Sequence, residues 1–168
     1  SFLKLLTKEI DPDCGSIKLG KTIEFSYFDQ DKSQLKDSLS IGRNLSENSD
    51  YINVAGKQRH VCSYLKDFLF DPKQSGEPIT ILSGGQQNRL LLAKTLANPR
   101  NCLILDEPTN DLDMQTLDIL QNILGKYQGT TFIVSHDRDF LDRCVNKIII
   151  FKKDAPIEVS LGNYSSYL

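Results

Sequence analysis

The sequence predicts an α/β fold in which a parallel core sheet carries an inserted, mostly helical segment. The clearest sign is the run 102–105, which is apolar throughout and ends in Asp106 and Glu107. A short apolar run that stops at a turn signal is typical of a parallel strand buried on both faces. The segment 130–134 is predicted as a second buried strand, and 90–97 as an apolar helix between the two motifs described below.

The two acids after the run 102–105 are candidate functional residues. Open α/β sheets bind their ligands beyond the carboxyl ends of their strands, where Asp106 and Glu107 are expected. Neighbouring residues of an extended chain point in opposite directions. One carboxylate can therefore hold a metal ion while the other faces a reacting water. From these residues alone, an acidic loop after a core strand is the more common interpretation.

A second motif, Leu-Ser-Gly-Gly-Gln-Gln-Asn-Arg, occupies residues 82–89. Ser83 is a favourable N-cap, and two glycines allow a ligand to approach the backbone closely. The helix that follows is predicted to end at Asn98-Pro99. Its exposed N–H groups and dipole would form an anion site. The alternative is a capped helix with a flexible entry.

The first third of the chain is predicted to begin with a helix and continue into β structure. A helical pattern occupies 1–6, and 23–28 alternates like a half-buried strand. The literal pattern G-x-x-x-x-G-K-T occurs at 15–22, but a phosphate loop needs a strand before it and a helix after it. Here a turn at 11–13 precedes it and a strand pattern follows. We therefore predict a β-hairpin with its turn at 19–21.

Residues 35–75 are predicted to form a helical subdomain, and 1–34 with 76–168 to form the core. Apolar residues in the subdomain recur at helical spacing before Asp71-Pro72 stops the helix. That apolar face consists of Val61, Tyr64, Leu65, Phe68 and Leu69. We interpret it as packing rather than as a ligand cage.

Beyond the acids, Asp113 is predicted to cap a helix that ends at Gly125. His136 follows the predicted strand 130–134. By itself, a histidine after a strand is more often a polar loop residue. Two further strands are predicted at 145–151 and 157–160.

The composition suits one soluble globular domain, because 39% of the 168 residues are hydrophobic, 25% are charged and the net charge is −2. No apolar run approaches the roughly 20 residues of a membrane-spanning helix, and no signal peptide is recognisable. The cysteines are widely spaced, which favours a reduced, cytoplasmic protein over a disulfide or zinc framework. They are Cys14, Cys62, Cys102 and Cys144.

The near-zero net charge predicts no general nucleic-acid footprint. Lys57, Arg59 and His60 could form a local basic patch. We interpret these three residues as a solvated helix face.

The two motifs together, in this order and spacing, resemble the ATP-binding cassette (ABC) ATPases. Residues 102–113 match their Walker B motif and D-loop, and 82–89 match their signature motif. The sequences at 108–113, 135–142 and 162–165 resemble the ABC-F ATPases, which carry two nucleotide-binding domains and no membrane domain. The stretch 59–70 and the Asn-Asp of the D-loop look most like the second domain of the Uup branch.

The resemblance implies a P-loop NTPase-like fold and a role for each matched residue. Asp106 would hold Mg²⁺, and Glu107 would orient or deprotonate the attacking water. His136 would act as the switch histidine at the γ-phosphate of ATP. Gln30 would be the Q-loop glutamine, which contacts both the Mg²⁺ and the attacking water.

The signature motif is implied to act in trans, on a nucleotide held by a facing ABC domain. Its contacts would come from Ser83, Gly84, Gly85 and Gln86, and Asp113 would couple the two sites. The facing nucleotide-binding domain is thus an implied partner.

The resemblance also matches the opening helix to the one that follows the phosphate-binding loop in ABC domains. We therefore expect that loop and the first strands of the sheet to lie upstream of Ser1. An open sheet edge would remain, and this chain alone would not hydrolyse ATP usefully.

The function that the resemblance implies is ATP binding and hydrolysis within a two-domain ABC-F protein that acts on ribosomes or translation. Uup-type proteins also carry a DNA-binding coiled coil, which this sequence does not contain, so DNA binding is not expected of it. Two alternatives stay open. One is a non-catalytic interaction module or split-gene remnant that keeps the signature face. The other is the ATPase subunit of an ABC transporter.

Overall fold

The computed structural model describes residues 2–29, 34–152 and 156–167. Within this part, the elements alternate along the chain between helices and strands. The helices are α1 (Phe2–Leu6), α2 (Ile41–Leu45), α3 (Val61–Asp67), α4 (Gly84–Ala97), α5 (Met114–Lys126), α6 (Arg138–Cys144) and α7 (Tyr164–Tyr167). The strands are β1 (Phe25–Phe28), β2 (Tyr51–Val54), β3 (Lys57–His60), β4 (Cys102–Asp106), β5 (Thr130–Val134), β6 (Lys147–Ile150) and β7 (Glu158–Leu161).

The core sheet is parallel, with strand order β1-β4-β5. Its central strand β4 is buried from Cys102 to Leu105, as an apolar strand between two neighbours should be. The predicted α/β class with a parallel core sheet is therefore confirmed. β5 is also present, but it is not the buried strand that was predicted. Among the described residues it pairs with β4 alone, so it forms a sheet edge and its side chains are half-buried or exposed.

Helix α4 forms much of the hydrophobic core beside this sheet. Leu90, Leu91 and Leu92 have no exposed surface, and the same is true of Leu103 in β4. The helix is thus enclosed on most sides, which explains why its apolar residues do not form a single stripe. The first turn of α4 belongs to the signature motif. Packing of the helix in the core therefore fixes the orientation of that motif.

The segment 35–75 is less helical than predicted, because residues 51–60 form the antiparallel hairpin β2–β3. The hairpin turns at Ala55 and Gly56, whose φ angles are 49° and 83°. Two successive positive φ angles are typical of the tight turn that matches strand twist. Lys57, Arg59 and His60 consequently lie on β3, not on a helix face as predicted. The division into a core and a subdomain stays a prediction.

Helix α3 ends earlier than the sequence suggested. It stops at Asp67, and Leu69 has a φ of 61° and is 43% exposed. The left-handed conformation at Leu69 turns the chain before Asp71 and Pro72 are reached. The other four residues of the predicted apolar face, Val61, Tyr64, Leu65 and Phe68, are buried in the core as predicted.

The hairpin predicted at 15–28 is wrong. The backbone N–H of Ile23 donates to the carbonyl of Gly20 at 3.1 Å, so a turn is present, but residues 16–20 belong to no strand. β1 instead pairs in parallel with β4, which holds it in the core sheet. No helix follows Thr22 either, so the G-x-x-x-x-G-K-T pattern lacks the context of a phosphate loop.

The C-terminal strands β6 and β7 form an antiparallel hairpin, which confirms both predicted strands with slightly shifted ends. A groove of about 880 Å³ is lined by residues of β5 on one side and β6 on the other. Apolar side chains from α1 and from both strands line it, among them Phe2, Phe132 and Ile148. No helix in the described part of the chain is long and apolar enough to cross a membrane.

Candidate functional site

Asp106 ends β4 and is held by a tyrosine on the neighbouring strand. The hydroxyl of Tyr27 in β1 donates a hydrogen bond to Oδ2 of Asp106, with an O···O distance of 3.2 Å. Partial burial and the nearby Asp106 carboxylate raise the pKa of Tyr27 to about 12, so the phenol stays a donor at neutral pH. The carboxylate therefore has a fixed direction at the carboxyl end of the sheet.

Glu107 follows in a backbone conformation that is unusual for a residue with a side chain, with a φ of 49°. Its N–H donates to the carbonyl of Val134 at 2.8 Å, which ties it to the end of β5. The strand therefore ends abruptly at this residue. Strained conformations of this kind are often found at functional sites.

His136 lies against Glu107 although the two are 29 positions apart in sequence. Its backbone N–H donates to Oε2 of Glu107 at 3.3 Å, and its Nε2 lies 3.4 Å from Oε1. The histidine side chain is 98% exposed, whereas the glutamate side chain is 19% exposed. An imidazole that is open to solvent thus stands over a largely covered carboxylate, and a ligand could contact both.

The loops after β4 and β5 are joined by hydroxyl groups. Oγ1 of Thr109 and Oγ of Ser135 are 3.0 Å apart, within hydrogen-bond distance. Ser135 Oγ also accepts from the N–H of Asp137, which caps α6. These contacts hold His136 at the carboxyl end of the sheet, beside both acids. Of the residues predicted from sequence, Glu107 and His136 are in contact, and Asp106 precedes Glu107 at the end of β4.

The signature residues form a complete capping box at the start of α4. Ser83 Oγ accepts from the N–H of Gln86 at 3.3 Å, and the N–H of Ser83 donates to Oε1 of Gln86 at 2.9 Å. This arrangement satisfies two backbone donors and fixes the entry of the chain into the helix. The N–H groups of the first turn, which includes Gly84 and Gly85, lie at the positive end of a 14-residue helix. The signature residues therefore lie at the positive end of the α4 dipole.

Asp113 joins the end of the D-loop to both α5 and α4. It accepts hydrogen bonds from the N–H and hydroxyl of Thr116 at 2.8 and 2.7 Å, and it pairs with Arg89 of α4 at 2.8 Å. The Thr116 hydrogen bonds, followed by Arg89, hold the pKa of the Asp113 carboxyl below its ordinary value. In this conformation Asp113 links the start of α5 to α4.

Sequence reasoning missed four residues that shape this site, namely Tyr27, Asn88, Arg89 and Asp111. Tyr27 can be identified only when the register of β1 against β4 is known. Asn88 and Arg89 carried a weak signal, since they are polar residues at the start of an otherwise apolar helix. Asp111 lay inside a motif that was already assigned. Gln30, the predicted Q-loop residue, falls outside the described residues.

The residues present fit a magnesium ion that is bound together with phosphates. The described part of the chain contains no group of three or more His, Cys, Asp or Glu residues able to hold a metal. Mg²⁺ usually takes one or two carboxylates and completes its shell with waters and substrate phosphates. Asp106, positioned by Tyr27 at the end of the sheet, matches that requirement. The described residues do not fit a metal whose ligands all come from the protein.

Sequence comparison matches residues 1–110 to the family model described as "ABC transporter". The chain is 46% identical over 164 residues to the "ATP-binding protein Uup" of Haemophilus influenzae, covering 98% of this chain and 25% of that protein. It is 45% identical to the Escherichia coli protein of the same name, with coverage of 98% and 26%. It is 38% identical to the "Energy-dependent translational throttle protein EttA" of Mycobacterium tuberculosis, with coverage of 93% and 29%.

The chain thus spans about a quarter of the length of these curated relatives. Among solved structures it is similar to the archaeal ribosome recycling factor aABCE1 in complex with the stalk protein aP1. The TM-score is 0.64 at 22% identity, with 91% of this chain and 29% of that chain covered. The dimeric ATP-binding cassette MJ0796 gives a TM-score of 0.56 at 23% identity, with 75% and 57% covered. At these identities the likeness supports the fold alone.

Proposed function

Since the chain belongs to the ABC transporter family of ATP-binding cassettes, we propose that it supplies the hydrolytic residues and signature helix of an ABC-F ATPase. The observation that carries this proposal is the contact between Glu107 and His136 at the carboxyl ends of two adjacent strands. The carboxylates of Asp106 and Glu107 and the imidazole of His136, at the carboxyl ends of the strands, suit attack of water on a phosphate. The likeness to Uup and EttA supports the same assignment.

In the proposed mechanism the chain positions water and phosphate rather than forming a covalent bond. The Glu107 carboxylate orients the attacking water and accepts its proton, with an oxygen fixed by the N–H of His136. The exposed imidazole of His136 contacts the γ-phosphate. Asp106, with Tyr27 behind it, would hold Mg²⁺, and the bound ion would offset the negative charge of the phosphates. Gln30 is proposed to contact the same ion and water.

The signature residues are proposed to serve a second nucleotide, held by a facing ABC domain. Ser83, Gly84, Gly85 and Gln86 would place the positive end of α4 against its γ-phosphate. Asp113 would link that contact to Glu107 through the D-loop. A non-catalytic module that presents only this signature face is the second candidate, because the capping box at that face is fully formed.

The phosphate loop is proposed to come from polypeptide other than residues 15–22. The groove between β5 and β6 supports this idea, since β5 has a free edge among the described residues and apolar side chains line the space beside it. A strand seated there would lie next to β5, and a loop at its carboxyl end would reach Glu107 and His136. That loop would supply backbone N–H donors to the phosphates.

A calorimetric titration with Mg-ATP tests where the phosphate loop is. The chain and the variant Lys21→Ala would be titrated separately. The proposal expects no measurable heat of binding in either protein. Tight binding that is lost in Lys21→Ala would instead make 15–22 a working phosphate loop. Tight binding that survives the substitution would require a nucleotide site that the proposal does not contain.

Hydrolysis itself is tested by complementation. The segment that carries the phosphate loop of the second domain of Escherichia coli Uup would be added to the chain, and phosphate release from Mg-ATP measured. Glu107→Gln should lower the rate about a hundredfold or more. The exposed Glu77→Gln is the matched control and should leave the rate unchanged. Failure of the complemented protein to hydrolyse ATP would favour the non-catalytic module.

The proposed cellular setting is the cytoplasm, with ribosomes as partner. The four free cysteines are compatible with a reducing compartment. One relative is named as a translational throttle, which supports this choice of partner. Co-sedimentation of the complemented Glu107→Gln protein with ribosomes, in the presence and absence of ATP, checks it. No ATP-dependent binding would contradict it.

A further inference from the structure

Asn88 is a buried polar residue that the proposed mechanism does not use. It lies in the second turn of α4 and is only 3% exposed. Its Nδ2 donates to Oδ2 of Asp111 in the D-loop, at 3.4 Å. Its Oδ1 is buried and accepts no hydrogen bond from the described residues. One half of the amide therefore has a partner on the D-loop and the other half has none.

The D-loop backbone reaches α4 at the same point. A Cβ atom on Gly85 would lie 2.9 Å from the carbonyl oxygen of Asp111, so only glycine permits this approach. Gly85 and Asn88 are three residues apart in α4 and share one helix face. Gly85 thus makes room for Asp111 while Asn88 holds its carboxylate. Asp111 itself has a φ of 59°, which directs its carbonyl and side chain toward the helix.

The residues from Glu107 to Asp111 form a short, stiff connection. The N–H of Asn110 donates to the carbonyl of Glu107 at 3.2 Å, and the N–H of Leu112 donates to that of Thr109 at 3.4 Å. A shift at Asp111 would therefore pass back to Glu107 through one turn. The N–H of Glu107 is fixed to Val134 at its other side. The position of Asp111 consequently sets how the turn leaves the sheet.

The unpaired oxygen argues that Asn88 is not there to stabilise the core. A buried acceptor without a partner costs free energy, and an apolar residue of similar size would avoid that cost. What an apolar residue cannot supply is the N–H donor that faces Asp111. The cost of the unpaired oxygen is therefore better explained if Asn88 serves to hold the D-loop.

We infer that Asn88 is a positioning residue: its buried amide holds Asp111 against Gly85, so that the signature turn of α4 and the turn that carries Glu107 move as one unit. This inference rests on the proposed function for its consequence, since it would couple the signature contact with one nucleotide to the hydrolytic carboxylate of another. Asn88 itself touches neither nucleotide.

The experiment exchanges the donor and the acceptor. Asn88→Asp places two carboxylates face to face, whereas the double variant Asn88→Asp/Asp111→Asn restores one donor and one acceptor in reversed order. Asn88→Leu removes both polar atoms and keeps the volume close to that of the amide. Asp111→Asn alone keeps an acceptor for Asn88 and is the conservative control. Thermal unfolding of each protein establishes that it is folded.

The readout is hydrogen exchange of individual backbone amides, measured by NMR on the 168-residue chain. In Asn88→Leu the amides of Asn110 and Leu112 should exchange about tenfold faster, although the melting temperature is retained. The same amides should exchange faster in Asn88→Asp and return to within about twofold of the wild-type rate in the double variant. The amide of Phe70, bonded within the α3 region, is the internal reference.

Wild-type exchange rates at Asn110 and Leu112 in Asn88→Leu would overturn the inference, and so would a double variant that behaves like Asn88→Asp. If Asn88→Asp does not fold, Asn88→Leu decides alone. None of these measurements needs nucleotide or hydrolysis. A complemented protein that fails to hydrolyse ATP would therefore refute the proposed function and leave the hydrogen-exchange result for Asn88 unchanged. If it does hydrolyse ATP, Asn88→Leu should lower kcat more than it raises KM.

Discussion

Tyr27 and Asp106 connect the two strands that lead into the candidate site. In the register of the parallel pair, Tyr27 lies opposite Ile104, and Asp106 is two residues further along the same face of β4. A tyrosine is long enough to reach such a diagonal neighbour, and its hydroxyl donates to Oδ2 at 3.2 Å. The pairing of β1 with β4 thus determines the direction of the carboxylate proposed to hold Mg²⁺.

This relationship predicts a measurable coupling between the two side chains. Tyr27→Phe removes only the donor and should lower the free energy of unfolding by about 1 kcal/mol, the usual net value of one hydrogen bond. In an Asp106→Ala background the same substitution should cost close to nothing, because the acceptor is already absent. Urea unfolding of the four proteins gives the coupling energy.

The matched control for this cycle is Tyr51→Phe, since Tyr51 is 54% exposed. Its substitution should change stability by less than about 0.5 kcal/mol in either background. Equal costs for Tyr27→Phe in the two backgrounds would show that the hydrogen bond contributes nothing to the fold.

Local features of this protein were predictable, and features that depend on register were not. The buried strand β4, the Ser83 cap and the Asp113 cap each follow from a few consecutive residues, and all three are present. Tyr27 was missed because its partner lies 79 positions away, and only the strand alignment brings them together.

Two errors of prediction have the same physical origin. The alternation at 15–28 was interpreted as a hairpin. β1 instead forms its backbone hydrogen bonds with β4, in the core sheet. β5 was predicted to be a buried strand, but it lies at the edge of the described sheet, where its side chains are half-buried or exposed. The hairpin turn at Ala55-Gly56 did leave a local signal, a glycine between two alternating segments, which helical periodicity nearby concealed.

Asp113 predicts an acid-dependent stability. Its lowered pKa means that the ionised form is favoured by folding, so its contribution is present above the ordinary value of 3.8 and is lost as the pH falls below it. Asp113→Ala should cost about 1 kcal/mol at neutral pH through loss of the N-cap, and should flatten the decline of stability below about pH 4. Urea unfolding at several pH values measures both effects.

Asp113→Asn separates the cap from the charge. Asparagine caps helices about as well as aspartate, so neutral-pH stability should fall by only a few tenths of a kcal/mol. The acid dependence should nevertheless flatten as in Asp113→Ala, since the carboxyl group that pairs with Arg89 is gone. If Asp113→Asn keeps the wild-type acid dependence, another carboxyl group is responsible for it.

Two helical glycines predict opposite effects of the same substitution. Glycine to alanine inside a helix usually stabilises by about 0.5–1 kcal/mol. Gly125→Ala in α5 should show this gain, because a Cβ there meets nothing within 4 Å. Gly85→Ala in α4 should instead destabilise the protein, since its Cβ would press on the Asp111 carbonyl at 2.9 Å. Thermal unfolding of the pair gives the sign of each, and a stabilised Gly85→Ala would contradict the close approach.

Tyr64 predicts a loss of stability at high pH. Its hydroxyl donates to the carbonyl of Ala93 at 2.8 Å in the core, and burial, more than the neighbouring Asp67, raises its pKa well above the ordinary value of 10.0. A raised pKa means that folding favours the protonated phenol. The contribution is therefore complete below about pH 10 and is lost as the pH rises beyond it. Arg59, whose guanidinium lies 5.7 Å from the ring centroid, opposes the shift only in part.

Tyr64→Phe tests that origin, because it removes the titrating group and keeps the ring against Phe68. At neutral pH it should cost about 1 kcal/mol through the lost hydrogen bond. Between about pH 10 and pH 12 its stability should decline less than that of the wild type, so the two unfolding curves approach each other. Part of the decline should survive, since the raised pKa of Tyr27 acts in the same range. Parallel declines of the two proteins would mean that folding does not raise the pKa of Tyr64 and that this residue does not drive alkaline unfolding.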